Sequence, residues 1–410
     1  MNILVLTVGG RPEPVVTAIR SLEPDRVVFL CSDDGPATTG SYADVPSIVA
    51  ETRLVADRYD VVKIRNFDDL QDCYLESQRV LRQEREAHPQ ARIVADYTGG
   101  TKSMTAGLAM AAVDDPSCEL NLVAGSRRDR DRVAPGTEFA QAVAVWTART
   151  RKRMPEITNR LERFDYPGAL AVLEDIAKTP IPHAVQQQLA VAIAVCRALD
   201  AWDRFAHHEA ERLLQPFRHE LVDHYRFLKE LCRERPRDPY LLVEDLLLNA
   251  ERRAVQGRYD DAVARVYRAL ELIAHTRLRE LWEIDPSDVD LEKVPPAKRS
   301  LIARHEPGER KIQLPLFPSW QLLADDEAVG PWFRENRSRM LNWLQLRNYS
   351  ILAHGLQPID AATYNRDGVE GMRLCREALE RLRGGGSSVV GVVQLPTRLA
   401  VIRRLTEADG

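Results

Sequence analysis

The run from Ala91 to Val113, ARIVADYTGGTKSMTAGLAMAAV, constrains this chain more than any other stretch. Arg92 to Asp96 is short, mostly apolar and bounded by polar residues, the pattern of a buried parallel strand. From Thr101 onward small residues recur at helical spacing, so the residues between form a strand-to-helix turn. In that turn Gly99 and Gly100 let the backbone approach a ligand closely, and Thr98 and Thr101 offer hydroxyls. Lys102 brings a charge to the helix's positive end, which makes the turn an anion cradle. It is not a Walker A loop, because a threonine precedes Lys102 and no glycine stands at the required upstream spacing.

The first strand carries a matching turn. Asn2 to Thr7 leads into Val8-Gly9-Gly10-Arg11-Pro12-Glu13-Pro14 and then a helical pattern from Val15 to Ser21. Further strands are expected at Arg26 to Cys31, Asp60 to Arg65 and Glu119 to Ala124, with a short extended piece near Arg132. Helices at about 47–58 and 69–86 alternate with them, and this alternation through about residue 146 is the signature of a parallel sheet. In a doubly wound order 3-2-1-4-5, strands 1 and 4 are neighbours whose outgoing helices lie on opposite faces, so the two glycine turns meet at the switch point. Neither turn is a GxGxxG fingerprint, which disfavours a dinucleotide and leaves a phosphate backbone or oligonucleotide as ligand.

Thr7-Val8-Gly9-Gly10, together with Asp96-Tyr97-Thr98-Gly99-Gly100-Thr101-Lys102-Ser103-Met104, resembles the CARF domain, the CRISPR-associated Rossmann fold that senses cyclic oligoadenylates. The alternative is a Rossmann domain whose glycines only make tight turns.

A chain of 410 residues is too long for one ordinary core, so two or three domains are expected. No apolar run approaches transmembrane length, and Met1-Asn2 leads straight into a strand without a signal-peptide pattern, so a cytoplasmic location is expected. The six cysteines lie far apart with no CxxC pair and read as reduced, mostly buried thiols, not a zinc site. A net charge of −4 argues against a broadly basic coat, so any RNA contact is a local patch.

From Thr147 to about Arg235 the pattern is wholly helical, and a second helical block begins near Pro239. Gly257-Arg258-Tyr259-Asp260-Asp261-Ala262 is echoed by Phe164-Asp165-Tyr166-Pro167-Gly168-Ala169, but the tyrosines are 93 residues apart, which disfavours a regular solenoid. Residues 285–330 are proline-rich, either an ordered insertion or a flexible loop. Arg383 to Ser388 reads as a flexible joint, with Val389 to Val393 and Leu399 to Ile402 as a terminal hairpin. His207, His208, His219 and His224 crowd one region without an i, i+4 pair and read as structural, so no metal site is expected.

Pro331 to Ala353 reads as one helix, opened by Gly330-Pro331 and closed by Gly355 and Pro358. Phe333, Arg337, Met340, Leu341, Leu344, Asn348, Ile351 and Leu352 define a largely apolar arc on it, suited to a dimer seam. Arg347 and His354, seven apart, would project within about 20° of each other along its border, with an axial separation of about 10 Å. Arginine forks onto phosphate oxygens and histidine exchanges protons near neutrality. The alternative is a surface arginine and a helix-end histidine without catalytic work. Arg334, Arg337 and Arg339 read as a solvated face.

Arg347-Asn348-Tyr349-Ser350-Ile351-Leu352-Ala353-His354-Gly355 resembles the HEPN ribonuclease motif, an arginine and a histidine separated by four to six residues. With the amino-terminal resemblance, the chain is similar to the ancillary ribonucleases of type III CRISPR antiviral defence. The implied fold is α/β plus all-α: a Rossmann-like CARF sensor over 1–146, a helical connecting domain over 147–238, a HEPN-like domain over 239–383 with the insertion at 285–330, and a tail over 384–410. The resemblance implies a homodimer that binds a cyclic oligoadenylate of unspecified ring size as activator. It also implies metal-independent cleavage of single-stranded RNA by 2′-hydroxyl attack, leaving 2′,3′-cyclic phosphate ends, with no membrane or DNA partner. Thr7, Gly9, Gly10, Thr98, Gly99, Gly100, Thr101 and Lys102 would hold the activator, and Arg347 and His354 would be catalytic with Asn348 in support. Two alternatives remain: a ligand-binding regulator with an inactive HEPN-like dimerisation domain, and a ring nuclease that degrades its activator in the CARF site.

Overall fold

The computed structural model describes residues 1–407 except 36–37, 125–126, 130–131, 134–138, 180, 182, 303–310 and 387. Two compact units result: residues 1–155 with 174–187 and the C-terminal end, and residues 156–173 with 188–403.

The first unit is built on β1 (Asn2–Thr7), α1 (Glu13–Leu22), β2 (Arg26–Ser32), α2 (Val45–Thr52), β3 (Tyr59–Ile64), α3 (Leu70–Ala87), β4 (Arg92–Asp96), α4 (Lys102–Asp114) and β5 (Cys118–Ala124). After them come the short pair β6 (Arg127–Asp129) and β7 (Arg132–Val133), then β8 (Phe139–Val143). The sheet order is β3-β2-β1-β4-β5-β8, with the expected parallel core of five strands and an antiparallel edge strand, β8, that the sequence analysis lacked. β8 has the sequence FAQAV, too short and too exposed to alternate clearly. The expected piece near Arg132 is β7, which pairs with β6 outside the main sheet.

β1 and β2 are apolar on both faces because both faces are covered. Ile3, Val5, Val28 and Leu30 pack with Met104 and Leu108 of α4 and Val80 and Leu81 of α3. Leu4, Leu6, Val27 and Phe29 pack on the other side with Val15, Val16 and Ile19 of α1 and Ile48 of α2. Each such burial contributes about 1.5–3 kcal/mol. α1 and α4 therefore do leave from neighbouring strands onto opposite faces. α2 ends at Thr52, short of the expected 58, because Arg53 turns left-handed at φ 58°.

The helices that follow are α5 (Trp146–Glu162), α6 (Tyr166–Ala177), α7 (His183–Asp203), α8 (His207–Leu214), α9 (Val222–Leu231), α10 (Leu241–Val255), α11 (Tyr259–Trp282), α12 (Leu316–Leu322), α13 (Gly330–Tyr349), α14 (Ala361–Thr363), α15 (Val369–Leu382) and α16 (Ala400–Glu407). α10, α11, α13 and α15 share one core, and the described part of 285–330 belongs to it. Val289, Val294, Leu314, Leu316, Trp320 and Leu322 are buried there, so the described part of the segment is packed and not a loose loop; its residues 303–310 lie outside the described residues. The terminal hairpin is not formed, since 389–394 has no strand and α16 takes the residues after Leu399. Ser387 of the expected joint lies outside the described residues.

Gly107 sits where α4 crosses α3, and a Cβ there would lie 2.8 Å from the Cys73 backbone. Gly107→Val should therefore separate the two helices and cost about 1–3 kcal/mol. A lowered thermal midpoint for the amino-terminal unit is the expected outcome, and an unchanged midpoint would show that α3 yields.

Candidate functional site

The turns after β1 and β4 meet in the first unit, because β1 pairs with β4 in parallel register, Leu6 beside Asp96. A Cβ on Gly9 would lie 2.6 Å from the Gly100 nitrogen, and one on Gly99 would lie 2.5 Å from the Thr7 carbonyl oxygen. Gly100 also adopts φ +95°, a conformation that side chains resist. Backbone therefore touches backbone at the switch point.

The hydroxyls nearby are committed to building these turns. Thr7 donates to the Gly99 carbonyl, and Thr105 donates to the same oxygen at 3.0 Å. Thr101 caps α4 by accepting from the Met104 N–H at 3.2 Å and donates to the Phe67 carbonyl at 2.6 Å. Thr98 accepts from the Val123 N–H at 2.7 Å. Beneath the loop, burial pushes the Asp96 carboxyl up, opposed by hydrogen bonds from the side chains of Thr98 and Asn121 and the Thr98 N–H. The hydroxyls of Thr98 and Thr101, expected to face a ligand, thus hold the loop's shape. Backbone N–H groups at Gly9, Gly10, Gly99 and Gly100 and the exposed Lys102 remain for an anion. Arg11, exposed directly after Gly10, adds a second cation that the glycine pattern overshadowed; among the described residues neither it nor Lys102 is ion-paired.

The second constellation lies in the other unit, and its geometry differs from the expected helix. α13 ends at Tyr349, not Ala353. Ser350 turns extended at ψ 154°, its N–H reaching the Arg347 carbonyl at 3.1 Å, and the Ile351 N–H bonds the Gln357 carbonyl at 3.0 Å. The chain then doubles back, so that the His354 N–H meets the Asn348 carbonyl at 3.3 Å. Gly355 lies so close to the Tyr349 backbone that no Cβ would fit. His354 therefore reaches the neighbourhood of Arg347 by a reversal, and the helical 20° relation does not apply.

Arg347 is held from two sides. Its guanidinium lies 4.3 Å from the centroid of Tyr267 on α11, and its Nη1 donates to Asn348 Oδ1 at 3.2 Å. Burial pushes the Tyr267 hydroxyl up, with Arg347 pulling the other way. Tyr267 was invisible in the sequence, being 80 residues upstream without a motif. The expected apolar arc also divides: Phe333, Met340 and Leu344 belong to the unit's own core. Exposed apolar surface gathers instead at the reversal, where Tyr349, Ile351, Leu352 and Leu356 are 74%, 48%, 55% and 83% exposed. Of the neighbouring arginines, Arg339 is paired with Glu370 and Glu377, Arg334 donates to the Ala324 carbonyl, and Arg337 lies over Phe317.

Of the crowded histidines, His207 bonds Asp245 at 2.8 Å and His224 bonds the Gln394 carbonyl at 3.0 Å. His208, with Glu211 and Cys232, places three possible metal-ligand atoms within 4.8 Å of one another. Burial pushes the Cys232 thiol up to about 12, so a metal there would first have to displace its proton.

Residues 232–372 match the family described as the Csm6 HEPN domain. The fold is similar to that of Enterococcus italicus Csm6 bound to cyclic hexa-2′-fluoro-hexa-dAMP, with a TM-score of 0.65 at 16% identity over 95% of this chain and 96% of that one. A weaker likeness, TM-score 0.25 at 14% identity, covers 53% of this chain and 68% of Can2 from Sulfobacillus thermosulfidooxidans in complex with cyclic tetra-adenylate, and carries no structural argument. No curated protein matches the sequence. Among the described residues no helix is long and apolar enough to cross a membrane.

The loop's construction separates two neighbouring side chains by their work. Thr101→Ala removes a cap and a tie to Phe67, and should lower the amino-terminal unit's stability by about 0.5–2 kcal/mol. Lys102→Ala, at an exposed and unpaired position, should leave it unchanged. Equal midpoints for the two variants in thermal unfolding would contradict this division.

Proposed function

We propose that the protein is a cyclic-oligoadenylate-activated endoribonuclease. One observation carries the catalytic half: the reversal after α13 brings His354 back to the backbone of Asn348, beside an Arg347 held by Tyr267, on an exposed surface. The match of the surrounding residues to the Csm6 HEPN domain supports that reading.

The chemistry follows from the residue types. A guanidinium fixed on an aromatic face has lost part of its conformational freedom before it meets a phosphate, and most of its N–H donors remain for the oxygens of a scissile phosphodiester. An exposed imidazole can take the proton of the attacking 2′ hydroxyl or deliver one to the leaving 5′ oxygen. Attack by the 2′ oxygen expels the 5′ oxygen and leaves a 2′,3′-cyclic phosphate, and no step needs a metal. Asn348 steadies the arginine through its side chain and the histidine loop through its carbonyl. The four exposed apolar residues at the reversal favour a two-fold pairing of this surface, in which each copy presents its Arg347 and His354.

The activator half rests on the touching loops. Their N–H groups, the start of α4 and the cations Lys102 and Arg11 suit the phosphodiesters of a cyclic oligoadenylate. Two copies of the loop pair match a ring with rotational symmetry.

Incubation of the purified protein with labelled RNA and each cyclic oligoadenylate of three to six residues tests both halves. Cleavage should require one ring and survive EDTA, and the products should carry 2′,3′-cyclic phosphate ends. His354→Ala and Arg347→Ala should each reduce cleavage by about 10²–10⁴ while ring affinity and dimerisation are kept. A ring that binds without any RNA cleavage would favour the regulatory alternative, and loss of the ring itself would mark a ring nuclease. Full inhibition by EDTA would replace the mechanism with a metal-dependent one.

Lys102→Ala should weaken ring binding by about 1.5–3 kcal/mol, one to two decades, with cleavage restored at saturating ring. Failure to restore cleavage at any ring concentration would give Lys102 another role. Light scattering should show a dimer at micromolar concentration; a monomer with and without ring would overturn the two-fold reading.

A further inference from the structure

The helical part of the second unit contains a cavity that neither proposed site uses. Its volume is about 570 Å³, within the range of small-molecule sites, and all the residues around it belong to that unit. It forms where three helix-to-helix turns converge, and the three turns are built alike. The Phe164 N–H reaches the Leu161 carbonyl at 2.9 Å and the Asp165 N–H the Arg160 carbonyl at 2.8 Å. Phe205 and Ala206 repeat the pair on Trp202 and Ala201 at 2.8 and 2.9 Å, and Gly257 and Arg258 repeat it on Ala254 and Arg253 at 2.9 and 2.9 Å. The left-handed residue that closes each turn is Phe164, Phe205 or Gly257, at φ 55°, 62° and 75°. Gln256 ties the third turn to the first by donating to the carbonyls of Arg163 and Phe164 at 3.0 and 3.3 Å.

This construction brings together the guanidinium groups of Arg160, Arg163, Arg253 and Arg258. The lining sets these four arginines against three carboxylates, Glu156, Asp165 and Asp203. Arg160 is matched by Glu156 and Asp165, and Arg258 by Asp261. Asp203 is shared by Arg253 and Arg252, of which Arg252 also lies 3.9 Å from Asp245, and the exposed Arg163 has no charged partner among the described residues. Arg253 is the most buried of the four: its side chain is 9% exposed and its guanidinium pairs with Asp203. The unpaired charge of Arg163 suits an oxyanion.

We propose that this cavity binds a nucleotide phosphate, held by Arg163, Arg253 and Arg258. The shared chemistry is a phosphate ester, which a free nucleotide or the end of an RNA strand can supply. The site uses none of Lys102, Arg347 or His354, so its occupancy can be measured whether or not those residues act as proposed above.

The test is hydrogen exchange on the full chain, with AMP, ATP, inorganic phosphate, and a 2′-O-methyl oligonucleotide with and without a 5′ phosphate. Binding should protect the amides of residues 163–165 and 256–258. In Arg163→Glu/Arg258→Gln protein, checked for folding by circular dichroism, that protection should need about ten- to a hundredfold more ligand. Arg163→Lys should retain most of it. Protection by AMP or ATP identifies a free nucleotide, and protection by the oligonucleotide alone identifies an RNA strand. No protection of these amides by any probe at millimolar concentration, or equal protection in wild type and the double variant, overturns the proposal.

Discussion

Between the loops after β1 and β4 there is no room for one more carbon atom on Gly9 or Gly99, since either would press on the opposite backbone. This contact is possible only because β1 and β4 lie side by side in parallel register, and it is what turns two ordinary strand ends into one surface. The Thr7 and Thr105 hydroxyls, both directed at the Gly99 carbonyl, hold that oxygen inward. Among the described residues the N–H groups of the two glycine turns have no backbone acceptor, so donors remain there for an anion. Larger side chains could supply charge here but could not let the backbones meet.

Much of the first unit was legible because its signals are local. An apolar run bounded by polar residues, followed by glycines and then small residues at helical spacing, specifies strand, turn and helix within some twenty residues. The strand order is that of the doubly wound sheet which the alternation of strands and helices implied. What stayed hidden was the assignment of hydroxyls. Thr98 and Thr101 are as suitable for a ligand as for the fold by residue type alone, and only the positions of Val123 and Phe67, far away in sequence, decide that both serve the loop. β8 was missed because FAQAV at an exposed edge has little pattern to offer.

In the helical unit the failure was different. Periodicity extends α13 to Ala353, since Ile351 and Leu352 continue its apolar spacing, and nothing local forbids it except the modest helix preference of Asn348 and Ser350. The break is made by partners outside the helix. Ser350 is 3% exposed and bridged to Gln357, and the Ile351 N–H is taken by the Gln357 carbonyl, so the backbone groups that a further turn would use are satisfied elsewhere. The arginine and histidine were singled out by residue type, spacing and resemblance, while the helical geometry expected of them is replaced by a reversal of the chain.

The three alike turns show what spacing alone leaves unseen in the middle of the chain. Phe164, Phe205 and Gly257 stand at unequal intervals, and two of the three are phenylalanines where glycine is the usual left-handed residue. A phenylalanine tolerates that conformation at a cost of about 1–2 kcal/mol. Burial offsets it: Phe164 is 7% exposed and Phe205 packs on the core of the unit. Once a side chain and not a glycine closes the turn, the compositional mark of a repeat disappears, while the backbone hydrogen bonds that define it persist. Those bonds bring Arg160, Arg253 and Arg258 close to one another. In all three turns the final hydrogen bond ends on the residue after the left-handed one, so Arg160 and Arg253 supply carbonyls for it and Arg258 supplies an N–H. The arginines of the cavity thus come together through how the turns are closed, their own backbone groups being used in the hydrogen bonds that reverse the chain.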